Sequence, residues 1–257
     1  MIKKLKKLLK SSTPFFITKV DGTNYSLLKD SFPQEIQKKQ TLKTYENVYL
    51  HVPTGTLYKK NFGIISDSKI GWGRIRRTGL LHTKKPEFKK VKKIDFGSTI
   101  YCGSSKSGFY HWLIECIPRA ELLKNNIPVF LPELSILNEK ILNSIYPDLN
   151  VKYEKSEWLY FEKFSLPLFY ALPGKGYIPN NFRKRILSKI NYKKDIDILF
   201  ISRSKAQKRR ILNEEFLIKK VSNNRKVKNV SLELYEFDRQ LEYVNRSKLI
   251  IAPHGAG

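Results

Sequence analysis

The first 95 residues alternate short apolar runs with turn residues. Phe15-Phe16-Ile17, Val48-Tyr49-Leu50 and Phe62-Gly63-Ile64-Ile65 each predict a strand, with turns at Asp21-Gly22 and Pro53-Thr54-Gly55. The lysine-rich stretch 84–93 reads as an exposed connection. At Ser98 the pattern changes. Residues 99–102 predict a strand and 103–108 a loop, and the helical period then begins. Phe109, Trp112, Leu113, Cys116, Ile117, Ala120 and Leu123 fall at i, i+3, i+4, i+7, i+8, i+11 and i+14, the stripe of a helix packed on a core. Pro118 removes a backbone bond inside that helix and should kink it.

Val129–Leu131 and Val151–Tyr153 then predict strands on either side of a helix at Ile136–Ile145, and β-type sequence continues to Phe161. Residues 167–179, with Pro173-Gly174-Lys175-Gly176, read as a linker. A second alternation follows: helix 182–190, strand 196–202, helix 212–222, strand 230–237, helix 239–246 with Asp238 as its N-cap, and strand 249–252. Strand–helix alternation of this kind implies α/β layers with parallel strands. Three parts are expected: a β-rich region at 1–95 with a basic start, and α/β domains at 96–170 and 171–257.

Composition narrows the class. The chain has 257 residues with 41% hydrophobic content, enough for real cores, and no apolar run is long enough to cross a membrane as a helix. Lys and Arg number 49 against 23 Asp and Glu, a net charge of +26 that predicts anionic partners: nucleic acid, acidic phospholipid or phosphorylated substrates. The charge is spread along the chain and dominated by lysine, so charge alone does not select nucleic acid. Residues 1–10 place Ile2, Leu5, Leu8 and Leu9 at helical spacing among lysines. They read as a frayed basic terminus, in preference to a helix lying on an anionic membrane. Cys102 and Cys116 read as reduced, buried thiols of a cytosolic protein.

Candidate chemistry gathers in three places. The apolar run Ile198-Leu199-Phe200-Ile201 leads into a basic turn that delivers Arg203, Arg209 and Arg210 beside a helix start, a site suited to phosphate. Asn213 and Glu214 at that helix start serve either as a cap or as contacts to a nucleobase or ribose. The final residues, Pro253-His254-Gly255-Ala256-Gly257, form a small-residue turn after a strand. There Gly255 and Gly257 admit close backbone N–H groups and His254 can donate a hydrogen bond. His111, Glu115 and Arg119 recur every four residues and so share one line of the helix, and a His–Glu pair can act as a general base. Asp195-Ile196-Asp197 precedes its strand rather than leaving it, so it reads as polar strand-start sequence, and no metal is expected.

Phe109-Tyr110-His111-Trp112-Leu113-Ile114-Glu115 with Pro118-Arg119, then Ile201-Ser202-Arg203-Ser204 with Arg209-Arg210-Ile211-Leu212-Asn213-Glu214, then Ile250-Ile251-Ala252-Pro253-His254-Gly255-Ala256-Gly257 form an ordered trio. In order and spacing the trio resembles glycosyltransferase family 61, which includes bacterial capsular polysaccharide biosynthesis proteins. The resemblance runs from about residue 98 to the end. It implies a GT-B-like α/β fold of two Rossmann-like domains, here with the second incomplete, the first acceptor-side and the second nucleotide-sugar-binding. It also implies inverting, metal-independent transfer from a nucleotide sugar, usually UDP-linked, without a cofactor, to a glycan or lipid-linked glycan acceptor. Carried over, Arg203, Arg209 and His254 contact the diphosphate, with Arg210, Gly255 and Gly257 in the same donor site. Asn213 and Glu214 support the nucleotide, and His111, Glu115 and Arg119 lie on the acceptor side, His111 leading Glu115 as base. The family's donor domain continues past the His-Gly-Ala-Gly turn, so residues 1–257 are expected to be a fragment of low or no activity. A cytoplasmic location is expected, with peripheral contact at an anionic inner membrane face and no specific nucleic acid. The competing readings are a basic nucleic-acid-binding α/β protein and a membrane scaffold held by residues 1–10.

Overall fold

The computed structural model describes residues 15–19, 41–68, 85–102, 108–123, 126–168, 180–205 and 210–253. The strands are β1 (Phe15–Lys19), β2 (Thr41–His51), β3 (Thr56–Lys59), β4 (Lys92–Ser98), β5 (Val129–Leu131), β6 (Val151–Tyr153), β7 (Trp158–Leu168), β8 (Ile196–Ile201), β9 (Val227–Val230) and β10 (Ser247–Pro253). The regular α-helices are α1 (Ile136–Ile145), α2 (Asn180–Ser188), α3 (Glu214–Val221) and α4 (Phe237–Arg246). Two compact units result, one of Phe32–Arg185 and one of Met1–Ser31 with Ile186–Gly257. The protein is thus of mixed α/β class, as its strand–helix alternation implies.

The first unit is built on a six-stranded sheet in the order β3-β2-β7-β4-β5-β6. Strands β7, β4, β5 and β6 run parallel to their neighbours, while β2 joins β7 and β3 antiparallel. Strands β2 and β3, from the expected N-terminal β-rich region, therefore hydrogen-bond directly into the sheet of the following α/β stretch. Alternation sets the faces. Leu50 pairs with Leu159 and Val48 with Phe161, and all four enter one core with Leu57, Phe130, Phe164 and Leu166. On the other face His51 pairs with Trp158 and Tyr49 with Tyr160, and Tyr49, Tyr58 and Trp158 form an aromatic cluster. Along β7 the buried set passes from residues 159 and 161 to 164, 166 and 168. The change comes opposite Asn47, whose φ of 53° lies in the left-handed region that asparagine tolerates.

Several local expectations are corrected. Residues 62–65 are not a strand: Phe62 turns at φ 66°, and only Ile64 bridges, to Tyr58. Its ring stacks on Tyr58 at 4.7 Å and meets Trp158 at 5.2 Å, so packing outweighs the strand propensity of the run. The strand expected at 99–102 is displaced upstream to β4, whose first residues, Lys92 and Lys93, lie in the supposed connection. Lysine masked the period, because the outward positions at the start of β4 are the charged ones. Residues 99–102 are buried but irregular. Pro167 belongs to β7, opposite Leu42, rather than to a linker; residues 169–179 lie outside the described set, as do Asp21-Gly22 and residues 1–10.

In the second unit the order is β1-β10-β8-β9, with β8 parallel to both β9 and β10 and β1 antiparallel on the β10 edge. Ile198 and Phe200 face one core with Leu217, Val221, Leu249 and Ile251, while Ile196, Leu199 and Ile201 face another with Val230, Leu232 and Tyr243. Burial on both faces explains why β8 is apolar from Ile198 to Ile201 instead of alternating. The strand expected at 230–237 is in fact Val227–Val230, followed by a 3-10 turn at Leu232–Leu234. The N-cap position of α4 is Glu236, and Asp238 lies inside the first turn.

The carboxylates of Asp195-Ile196-Asp197 bind protein cations at the start of β8. Arg246 donates to Asp195 through two nitrogens, at 2.8 and 2.6 Å, and Asp197 accepts from Lys248 at 2.7 Å and from the Lys226 backbone N–H at 2.9 Å. They pin the start of β8 to the end of α4, the start of β10 and the approach to β9, as strand-start polarity predicts.

Two tests arise. Gly97 in β4 sits where a Cβ would come within 2.5 Å of the Phe161 ring and 2.7 Å of the Phe130 ring. Gly97→Ala is expected to cost about 1–3 kcal/mol in urea unfolding, the range for overpacking a core; an unchanged midpoint would refute the close approach. The Arg246 hydrogen bonds hold the Asp195 carboxyl down at about 2. A carboxylate lowered by folding stabilises the protein above its unfolded value and loses that contribution as pH falls through its folded one. The parent protein should therefore lose stability between about pH 4 and pH 2, whereas Asp195→Asn starts less stable and loses less over that window. Parallel melting curves for the two proteins would contradict this.

Candidate active site

Residues 109–122 form one continuous but uneven helix. It opens with an α-turn at Phe109–His111, widens to a π turn at Trp112–Cys116 and tightens to 3-10 at Ile117–Leu122. Pro118 sits at the start of the tight part, so the expected break appears as a change of helical pitch. The apolar stripe fixes the segment: Trp112, Cys116 and Ile117 are fully buried, and the Trp112 indole N–H donates to the Asn138 carbonyl of α1 at 3.1 Å.

The other line of this helix comes together as the fourfold spacing predicts. His111 Nδ1 lies 2.8 Å from Glu115 Oε1, and Arg119 Nε donates to the Glu115 carbonyl at 2.9 Å. The His111 and Glu115 side chains are only 11% and 13% exposed. With the carboxylate oxygen accepting from Nδ1–H, the Nε2 lone pair is left available. No hydrogen bond to a described residue occupies Nε2. His51 provides the contrast. It has a glutamate partner too, Glu157 at 3.2 Å, but its other nitrogen is tied to Thr54 at 2.7 Å and its ring lies 4.7 Å from Trp158. His51 is a structural clamp; His111 is oriented on one side only. Arg119 is 1% exposed, and its Nη2 has no hydrogen-bond partner among the described residues.

Two neighbours were not anticipated from sequence. Tyr110 sets its ring edge-on to His111 at 5.3 Å, and burial followed by the Glu115 charge pushes its phenol upward. Cys102 and Cys116, read as reduced, buried thiols, lie 3.2 Å apart without a disulfide bond, with burial pushing the Cys116 thiol well up. The aromatic at position 110, beside the histidine, was the only signal for the first; the second contact depends on tertiary structure alone.

In the second unit, β8 is the first of three parallel strands, β9 lies to one side of it and β10 to the other. The crevice at the carboxyl ends of β8 and β10 is therefore a topological switch point, the place where open α/β sheets bind ligands. Ser202 and Arg203 leave β8 there, and Pro253 ends β10 immediately before His254 in the chain. The Ser204 N–H donates to Ser202 Oγ at 3.0 Å, shaping the turn that carries Arg203. Asn213 takes the N-cap position of α3 without a side-chain capping bond, and Glu214 Oε2 is buried with no hydrogen-bond partner among the described residues. Arg210 is exposed. Arg209, His254, Gly255 and Gly257 lie outside the described residues. Among the described residues no cluster of three His, Cys, Asp or Glu side chains is placed to hold a metal ion, and no helix is long and apolar enough to cross a membrane.

The His111–Glu115 pair belongs to the first unit and the switch point followed by Arg203 to the second. The glycosyltransferase 61 family model matches residues 109–257, more than half of the chain and all three sequence stretches singled out above. The chain belongs to glycosyltransferase family 61. No curated protein and no solved structure matches it.

Proposed function

We propose that this glycosyltransferase transfers a sugar from a nucleotide sugar, UDP-linked, to a glycan or lipid-linked glycan acceptor with inversion and without a metal, in cytoplasmic synthesis of surface or capsular polysaccharide. The observation that carries this reading is the His111–Glu115 pair, with one imidazole nitrogen oriented and the other available. In a single displacement the acceptor hydroxyl oxygen attacks the anomeric carbon as His111 Nε2 takes its proton. The bond from that carbon to the diphosphate oxygen breaks, and the nucleoside diphosphate leaves with the electron pair. Glu115 holds the imidazole tautomer and stabilises the imidazolium that forms. Arg119 serves substrate binding from the same helix.

Charge developing on the departing diphosphate needs cationic and N–H donors in place beforehand. Arg203, Arg209, Arg210 and His254 fill that role, with backbone N–H groups at Gly255 and Gly257. Asn213 and Glu214 bind the nucleotide, a use supported for Glu214 by its buried Oε2, which has no hydrogen-bond partner among the described residues.

Isothermal titration with UDP tests the donor half. Arg203→Ala is expected to weaken UDP binding at least about tenfold, the loss of one charge-assisted contact; unchanged affinity would remove Arg203 from the site. His111→Ala should keep UDP affinity while lowering transfer about 10²–10⁴-fold, the range for a lost general base. Measurable transfer by the parent that the variant matches would exclude His111 as the base.

A further inference from the structure

Phe88 stands at the crest of a one-turn 3-10 helix, Phe88–Lys90, and is 45% exposed although it is a large apolar side chain. It does not swing freely. Its ring lies 5.2 Å from Tyr49 and 6.3 Å from Phe62, and both belong to the aromatic cluster on the outer face of the first unit's sheet. Lys85 lies over the Phe62 ring at 5.6 Å, which brings the turn at residues 59–62 and the segment 85–90 into one patch. That patch exposes Lys59, Lys60, Lys85, Lys89 and Lys90. Glu87 is the acidic residue within these two segments, and Lys90 engages it at 2.6 Å. On the neighbouring side, Asp67 is taken by Lys43 at 2.8 Å and by the Tyr45 hydroxyl.

We infer that this patch is a docking surface for an anionic lipid bilayer, with Phe88 entering the headgroup layer and the lysines meeting its negative surface potential. Three observations favour lipid over nucleic acid. Every cation in the patch is lysine, which acts as a point charge near a charged plane, whereas nucleic-acid recognition favours the arginine fork. The apolar side chain projects from a turn flanked by charges, the layout of an interfacial anchor. The ring is held by its neighbours, so inserting it costs little conformational freedom. None of the patch residues is among those assigned to sugar transfer, so the proposal neither needs that assignment nor falls with it.

Co-sedimentation of the full chain with phosphatidylglycerol–phosphatidylcholine vesicles tests the proposal. Binding should require the anionic lipid and weaken steeply as salt rises. Lys89→Glu with Lys90→Glu should lower the partition coefficient by at least about fivefold per lysine, and Phe88→Ala should lower it further. Lys59→Glu with Lys60→Glu, on the adjacent turn, should reproduce the loss and guards against a fold defect in the first pair. UDP affinity should be unchanged in all of them. Equal binding to pure phosphatidylcholine, retention by both charge-reversed pairs, or a tighter, patch-dependent affinity for a single-stranded RNA oligomer would each overturn the proposal.

Discussion

Strand β7 has to satisfy two neighbours of opposite direction, and the first unit depends on its doing so. It pairs antiparallel with β2 along nearly its whole length and parallel with β4 from Lys92 to Ser98. Both partners need its backbone, while its side chains must still fill the core. Phe161, Phe164 and Leu166 are fully buried, each worth about 1.5–3 kcal/mol. The Phe161 and Phe130 rings leave no room above β4, and so Gly97 faces them without a Cβ. This central ladder fixes the end of β4, from which the chain passes through buried residues 99–102 toward the His111 helix.

That helix resolves a conflict between packing and chemistry. Trp112, Cys116 and Ile117 must point into the core, yet His111, Glu115 and Arg119 carry polar groups on a neighbouring line. A uniform α-helix meeting Pro118 would lose one backbone bond in its middle. The structure instead widens the turn before the proline and tightens the one after it, which keeps both lines continuous. The Glu115 residue serves both neighbours: its carboxylate orients His111 and its carbonyl receives Arg119. The buried guanidinium is held through a backbone carbonyl and leaves the Glu115 carboxylate to His111.

Much of this was legible because the signals were local and periodic. The α1 boundaries, the strands Val129–Leu131 and Val151–Tyr153, and the fourfold line of His111, Glu115 and Arg119 follow directly from spacing. Misreadings came where side-chain chemistry and backbone state diverge. Lysines at outward positions hid the start of β4, and an apolar run at 62–65 became a turn because its ring had better partners than its backbone did. Strand order was not legible at all. The placement of β9 and β10 on opposite sides of β8, which creates the switch point beside Arg203, is fixed by which helix covers which face. The Cys102–Cys116 contact is likewise a product of tertiary packing, invisible to spacing.

The large positive charge divides by position in the fold. Asp195 and Asp197 fasten the start of β8 by taking up Arg246 and Lys248, and Glu242 takes up Arg239 and Arg246 within α4. These pairs sit at the end of the sheet opposite to its ligand-binding edge, and being partly exposed they order the chain more than they stabilise it. Other cations lie elsewhere, as arginine following the strand exit of β8 and as lysine on the turns around Phe88. Arginine at a strand exit suits bidentate contact with a compact diphosphate, whereas lysine on a convex turn suits a diffuse charged plane. A net charge of +26 taken as one number points to any polyanion. Resolved by residue type and place, it agrees with the two partners proposed above, a diphosphate beside Arg203 and an anionic bilayer at the Phe88 turn.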